Sequence, residues 1–441
     1  MGIKLGILGL GTVGTGTVQL LLDNVGRHSL LRELEIWRVG VKSLDKPREV
    51  DLPTGVITTD LESIVNDPQI DIVVELIGGI DRAKELILKA IANGKHVVTA
   101  NKAVISRFGA EIFTAANKAG VYVMLEASVG GGIPVIQPLK QSLSVNRIHT
   151  VTGIVNGTTN YILTRMQTEG SNFDDVLADA QRLGYAEADP TADVDGWDAA
   201  DKIAILASLA FGGRINREEV FSEGIRQVSK TDISYADKLG FVIKLLAIAK
   251  RISPLSPSSS CPTLSVRVHP TLVPKTHPLA SINGVYNAIL VEGEPLGQVM
   301  FFGPGAGAGA TASAVCSDIL NLAAHLTSAN NSSSSSSSNI DPLLACSHQD
   351  YCQIAPVSEL IARFYTRFLT KDQSGVIGKL GTCFGKYDVS LESVVQTGFQ
   401  GELAEIVVVT HDVQEGKVKQ ALDEIRTMEA IHSIPSLLRV I

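Results

Sequence analysis

Residues 184–202 read GYAEADPTADVDGWDAADK, six carboxylates and one lysine within nineteen residues, and Lys202 opens the apolar run KIAILASLAF. Carboxylates at this density suggest a cation loop, a helix start or acid–base chemistry. A calcium loop in register with Gly196 needs acids at Thr191, Asp193 and Asp195 and a glutamate at Lys202. Thr191 is neutral and Lys202 has the wrong sign, so calcium is excluded. A helix start would use Asp195 as N-cap and Asp198 in the first turn, where the macrodipole favours a carboxylate. Asp198 and Lys202 are then an i,i+4 pair, which an ordinary helix surface also carries. The helix that follows is almost wholly apolar, however, which puts Lys202 at the edge of a buried element. There the positive end of the dipole disfavours the ammonium form, and a lysine oriented by Asp198 suits a general acid–base catalyst.

A second group of residues points to a nucleotide. GLGTVG sets Gly9, Gly11 and Gly14 in a G-x-G-x-x-G spacing after a strand-like run from Ile3 and before the helix-forming TVQLLLDN. That context gives a tight turn at Gly9, room for a pyrophosphate at Gly11, and amide donors from Thr12, Val13 and Gly14 at a helix N-terminus. The end of the second strand, EIWRVGVKSLDKPR, has Lys42 where an acid would hold the ribose hydroxyls of NAD, and Asp45 lies beyond the strand end. A cation suits a 2′-phosphate, so NADP is favoured and NAD is retained as possible; an exposed loop lysine is the plainer reading of Lys42. Lys102, just after HVVTA, falls at the carboxyl edge of the sheet, where such folds bind ligands, unless it is a surface lysine opening a helix.

The elements that must hold these residues follow from the apolar pattern. Strands at Lys4–Leu8, Glu35–Val41, Ile70–Leu76, His96–Thr99 and Val121–Leu125 alternate with helices such as Arg82–Ala92 and Gly109–Ala119, which predicts a Rossmann-type doubly wound α/β sheet over residues 1–125. From 126 to 300 a strand at Arg147–Val155 mixes with helices at Tyr161–Thr168, Asp174–Leu183, Asp198–Phe211 and Tyr235–Lys250, an α+β catalytic and dimerisation domain. The glycine-rich GPGAGAGATASAVCSDIL follows, and residues 300–325 are expected to complete the first domain. Seven consecutive serines then mark a linker over 326–353. The tail, 354–441, has the βαββαβ order of an independent ferredoxin-like domain.

Bulk properties narrow the class. A net charge of −8 without a basic stripe excludes a nucleic-acid partner. No apolar run reaches membrane-spanning length, and the five scattered cysteines fit a reducing compartment, so a cytoplasmic protein is expected.

Several motifs together resemble one family. Ala180, Gly184, Glu187, Asp189, Pro190, Asp193, Gly196, Asp198 and Lys202 match the signature of homoserine dehydrogenases, and GLGTVG, TANKA at 99–103, EASVGGGIP at 126–134 and NGTTNYIL at 156–163 resemble the same family in the same order. The tail, with KDQSGVIGKL, resembles an ACT domain. The resemblance implies reversible, NAD(P)H-dependent reduction of L-aspartate 4-semialdehyde to L-homoserine, a step towards threonine, methionine and isoleucine. It implies that Lys202 is the proton donor, that Glu187 and Asp198 hold the substrate α-ammonium, and that Gly184 lies close to the cofactor. Lys102 would stand beside nicotinamide and substrate, and Gly303 would make a return contact to the cofactor. EASVGGGIP would be a sodium loop, with Glu126 and the main chain of Val129, Gly131 and Ile133 as ligands. The tail implies L-threonine feedback near Asp372–Val376, although Ser374 stands where the family pattern often has proline. Both the middle and tail modules imply a homodimer or larger homo-oligomer. The rival from another class is a non-catalytic amino-acid sensor on the same scaffold.

Overall fold

The computed structural model describes residues 2–23, 25–252, 261–331, 341–346 and 348–441. The run IKLGIL forms the strand Ile3–Leu8, buried at five of its six positions. Continuous apolar strands of this kind need cover on both faces, which a parallel sheet with flanking helices supplies. The strand pairs in parallel with Leu34–Gly40 on one side and Ile72–Glu75 on the other. The full order is Ile57–Thr58, Leu34–Gly40, Ile3–Leu8, Ile72–Glu75, His96–Thr99, Val123–Met124, with every ladder parallel. The expected Rossmann-type sheet is therefore present, and its order reverses between Ile3–Leu8 and Ile72–Glu75, the switch point at whose carboxyl edge ligands bind. Connecting helices bury one face each: Asp81–Ala92 buries Ala83, Leu86, Ile87, Ala90 and Ile91, the spacing of a single apolar stripe.

The chain divides into two units. The first comprises Met1–Val151, Ala204–Glu218 and Val291–Cys352. Within it the helix Ala308–Asn331 packs against Thr12–Leu22 at Gly16, where a Cβ would stand 3.0 Å from the Ala308 carbonyl oxygen and 3.2 Å from the Ala312 Cβ. Ile319, Leu322 and Ala323 of this helix share a core with Ile3, Leu5, Ile7 and Val18. The linker expected over 326–353 is corrected at both ends. The helix continues to Asn331, and beyond the serines Leu344 joins that same core while the Asn117 side-chain amide donates to the Cys346 carbonyl at 2.9 Å. The serines themselves, 332–338, lie outside the described residues.

The second unit comprises Thr152–Ile203, Glu219–Leu290 and Gln353–Ile441. Its strands Phe241–Arg251 and Thr263–Pro274 pair antiparallel. The stretch Tyr235–Lys250, expected as one helix, is instead a helix Lys230–Lys238 followed by the strand Phe241–Arg251. Gly240, at φ +86°, breaks the helix, and FVIKLLAIAKR is buried at eight consecutive positions. An uninterrupted apolar run has no period to tell strand from helix.

The tail runs strand Ile361–Lys371, helix Val376–Lys386, strands Leu391–Gln400 and Leu403–Thr410, helix Glu415–Ile425, strand Ile431–Val440. It is not set apart as an independent body. Its last strand pairs in parallel with Thr263–Pro274 through Thr271 with Arg439 and Leu272 with Val440. Buried ion pairs add to this: Arg367 meets Asp232 of the helix Lys230–Lys238 at 2.7 Å and Glu405 at 3.1 Å. Among the described residues no helix is long and apolar enough to cross a membrane, and all five cysteines are free thiols.

Candidate active site

The acidic stretch lies in the second unit and leads through the short helix Thr191–Val194 into the helix Trp197–Phe211. Lys202 and Asp198 form their i,i+4 pair with Nζ 2.7 Å from Oδ2, and the two side chains are only 11% and 4% exposed. The same ammonium donates to the Val155 carbonyl at 2.6 Å. Asp198 Oδ2 also accepts from the side-chain amide of Asn156 at 2.8 Å, and that amide reaches Asp193 Oδ1 at 2.7 Å. Buried charge is tolerable only when paired and hydrogen-bonded, and here both partners are.

The helix start differs from expectation in one respect. Gly196, at φ +81°, immediately precedes Trp197, and its carbonyl accepts from the Ala200 amide at 2.9 Å. Gly196, rather than Asp195, is therefore the residue that precedes the helix, and Lys202 falls in the second turn. A left-handed backbone at that junction favours glycine. The Asp195 carboxylate instead accepts from Arg226 Nε at 2.6 Å, and its carbonyl accepts from the Ser222 hydroxyl at 3.1 Å. Segment 222–226 is pressed against this turn: the Ile225 amide donates to the Val194 carbonyl at 2.8 Å, and a Cβ on Gly224 would lie 2.1 Å from that oxygen.

The outer part of the stretch is different. Gly184, at φ +77°, follows the helix Phe173–Arg182 and is exposed, as are Glu187 and Asp189. The backbone is nonetheless held: the Glu187 carbonyl accepts from the Gln181 side chain at 3.0 Å, the Tyr185 carbonyl from the Thr158 hydroxyl at 2.6 Å, and the Tyr185 ring packs 5.0 Å from that of Tyr161.

The remaining expected site residues lie in the first unit. Gly9 has φ +106°, and a Cβ there would stand 2.6 Å from the Leu76 carbonyl oxygen; a Cβ on Gly14 would stand 2.1 Å from the Gly9 oxygen. Gly11 faces open space and precedes the helix Thr12–Leu22 without a side-chain cap. The amides of Thr12, Val13 and Gly14 thus open a helix whose end is free for an anion. Two glycines shape the turn and the third leaves room beside it, a cradle that fits a dinucleotide pyrophosphate. Lys42 is exposed in the loop after Leu34–Gly40, where the Arg48 guanidinium ties the loop to the Leu44 carbonyl at 3.0 Å and the Lys46 carbonyl at 2.9 Å.

Lys102 opens the helix Lys102–Ala119 and is half-buried. Asn101 caps that helix, accepting from the Val104 amide at 3.3 Å and donating to the Gly79 carbonyl at 2.8 Å. Behind it stands a residue that sequence reasoning missed. Glu75, fully buried at the end of its strand, accepts from the Thr99 hydroxyl at 2.7 Å, and that hydroxyl accepts from the Asn101 amide at 3.0 Å. Burial pushes the Glu75 carboxyl above its usual range. The signal was available: an acid closing the apolar run IVVE.

Glu126 is buried and its two oxygens accept from the amides of Val135, Ile136 and Gln137 at 2.7, 2.8 and 2.8 Å, at the start of the helix Ile136–Lys140. Burial pushes its carboxyl up against the pull of those amides. Asp318 accepts from the Glu126 amide at 2.8 Å, has no partner for Oδ1 among the described residues, and is pushed up by burial to about 8. Gly131, at φ +54°, lies so close to Gly305 that a Cβ would stand 2.5 Å from its carbonyl oxygen, and Gly303 packs on Ile133, 3.3 Å from a would-be Cβ. Val129 lies fully buried between Glu126 and these glycines in the chain. Among the described residues no group of three or more His, Cys, Asp or Glu side chains could hold a metal.

Comparison with known proteins identifies the family. The family model for the homoserine dehydrogenase NAD-binding domain matches residues 9–126, and that for homoserine dehydrogenase matches 134–320. A Synechocystis homoserine dehydrogenase is 62% identical over 441 residues, covering 100% of both chains. The crystal structure of a homoserine dehydrogenase from Thiobacillus denitrificans superposes with a TM-score of 0.89 at 40% identity, over 100% of this chain and 98% of that one. A hyperthermophilic archaeal homoserine dehydrogenase in complex with NADPH matches with a TM-score of 0.58 at 26% identity, over 74% of this chain and 98% of that one. With its dinucleotide turn, its buried lysine–aspartate pair and relatives matching along its whole length, this chain belongs to the homoserine dehydrogenases, a family of NAD(P)-dependent oxidoreductases.

Proposed function

We propose that the chain interconverts L-aspartate 4-semialdehyde and L-homoserine, a step towards threonine, methionine and isoleucine. The observation that carries this reading is the buried Lys202 ammonium, fixed by Asp198 and the Val155 carbonyl. The nicotinamide supplies a hydride to the aldehyde carbon when bound. Lys202 gives its proton to the alkoxide oxygen that results, becomes neutral, and is recharged from solvent; in the oxidative direction the neutral amine takes the hydroxyl proton. Asp198 orients Lys202. Glu187, exposed and on a backbone held by Gln181, meets the α-ammonium group with Asp198, and Gly184 lies beside the cofactor. Lys102, set by the Glu75–Thr99–Asn101 chain, acts as an electrostatic anchor beside nicotinamide and substrate.

NADP is the preferred cofactor in this reading, because Lys42 is free to meet a 2′-phosphate and the strand Leu34–Gly40 ends without an acid; the NADPH complex of the archaeal relative supports it. The donor set of the loop at 126–133 fits a sodium ion bound by Glu126 and the main chain of Val129, Gly131 and Ile133, since the Glu126 carboxylate accepts from three amides and keeps one lone pair for a cation. Gly303 contacts the cofactor from the chain that packs on Ile133. The tail, 354–441, is a ferredoxin-like ACT module whose strand order, last–first–third–second, supports that assignment, with L-threonine bound near Asp372–Val376. Its edge strand Leu391–Gln400 carries the exposed Phe399 and Val395, which suits a homo-oligomer.

The test is spectrophotometric. Purified protein with L-homoserine and NADP⁺ or NAD⁺ at alkaline pH reduces the cofactor; no reduction with either one overturns the reading. A rate unchanged by L-threonine, with no heat of binding, removes the effector, and a rate indifferent to replacing sodium by a large organic cation removes the ion. A sensor without turnover is not favoured, because the reactive pair is intact and buried.

A further inference from the structure

NGTTNYIL begins with Asn156, the residue that precedes the helix Gly157–Glu169, and its side chain has a second task besides capping. As a cap, Asn156 Oδ1 accepts from the Thr159 amide at 2.8 Å and from the Thr159 hydroxyl at 3.0 Å. The two hydrogens of its Nδ2 go to two carboxylates of the acidic stretch, Asp193 Oδ1 at 2.7 Å and Asp198 Oδ2 at 2.8 Å. The side chain is 5% exposed, so all of its bonding capacity is spent inside the protein. The amide orientation follows from its neighbours: the backbone N–H of Thr159 needs an acceptor, and two carboxylates need donors.

We propose that Asn156 is a positioning residue for the proton-transfer pair, holding Asp198 so that Lys202 is aimed and charged correctly. The inference rests on Lys202 being the acid–base group of the proposed reaction. Three features carry it. Asp198 Oδ2 is shared between the Asn156 amide and Lys202 Nζ, so moving the amide moves the oxygen that orients the lysine. The preceding residue, Val155, accepts from the same Nζ, so residues 155–156 contact both members of the pair. The segment itself is anchored, since a Cβ on Gly157 would stand 2.8 Å from the Val285 carbonyl oxygen. Residue type fits the geometry: aspartate could cap but not donate, serine could cap but has a single hydrogen, and only an amide accepts from a helix end while donating twice.

Asp193, from the short helix Thr191–Val194, shares the Asn156 amide with the pair, and Asp201 is a buried acid on the same helix as Lys202. The experiment uses the intact enzyme with NADP⁺ and L-homoserine, comparing wild type, Asn156→Asp and Asn156→Ser. Serine caps as well as asparagine and keeps one donor hydrogen, so Asn156→Ser is expected to melt close to wild type, whereas Asn156→Asp sets a third carboxylate against Asp193 and Asp198 and is expected to melt lower. Both are expected to lose about 10- to 100-fold in kcat, the effect of one charge-assisted hydrogen bond, with KM for NADP⁺ unchanged. The added negative charge of Asn156→Asp favours the ammonium form, so the limb of the kcat–pH profile that reports the neutral base moves to higher pH in that variant alone. Wild-type kcat in Asn156→Ser overturns the proposal, whether or not Asn156→Asp folds. A loss of kcat that tracks a matching loss of melting temperature in both variants, without movement of the pH limb, also overturns it and leaves a cap only. An inactive wild type would instead sink the reaction assignment, which separates the two failures.

Discussion

The acidic stretch has two ends that face opposite problems. At the outer end, Glu187 and Asp189 are exposed, Asp189 accepts from the nearby Thr191 amide at 3.1 Å, and the backbone beneath them is tied down by Gln181 and Thr158. At the inner end Asp193 and Asp198 share the Asn156 amide, Asp195 has Arg226, and Asp198 also has Lys202. Charge density in the sequence is therefore a poor guide to role. Acids whose partners are internal are preorganised and can orient a proton donor; an acid held only through its backbone keeps its side chain for a ligand.

The comparison can be broken from the inside outwards. Lys202→Ala removes the proposed proton donor and is expected to lower kcat by about 10³-fold, within the range for general acid–base groups, with cofactor binding retained in an NADPH fluorescence titration. Asp198→Ala should follow, lowering kcat by about 10²-fold and leaving a buried lysine unpaired; urea unfolding should register a loss of about 3–5 kcal/mol. Glu187→Gln, at the outer end, should raise KM for L-homoserine about 10-fold and leave the melting temperature in place, because no internal partner is lost. If that variant instead lowered kcat at unchanged KM, the division between the two ends would be wrong. Arg226→Ala is the smallest expected change: its pair with Asp195 is partly exposed, so unfolding should shift by no more than about 1 kcal/mol.

Much of this arrangement was legible in the sequence. The glycine turn could be read because its chemistry is local, with strand, turn and helix contiguous between Ile3 and Leu22. The Asp198–Lys202 pair could be read because four residues on a helix bring side chains together. Asn156 could not, since its partners are 37 and 42 residues away and no periodicity links them, although an asparagine before Gly-Thr-Thr is a helix-cap signal that invited a closer look. The helix start was misplaced by one residue because Asp195 has the side chain of a cap, whereas the chain turns at Gly196, whose left-handed backbone angle the sequence does not display. The strand Phe241–Arg251 passed for a helix because burial on both faces erases the alternation that marks a strand.

The contact between Gly224 and the turn at Val194 and Asp195 bears on how this enzyme could be redesigned. A crowded side chain can be relieved by trimming its neighbour, but the atoms facing Gly224 are a carbonyl oxygen and a Cα, which no substitution can shorten. Position 224 is therefore closed to any residue but glycine, whatever side chains stand at 194 and 195. Anyone grafting a different acidic loop onto this scaffold would have to keep glycine at 224 or move both segments together.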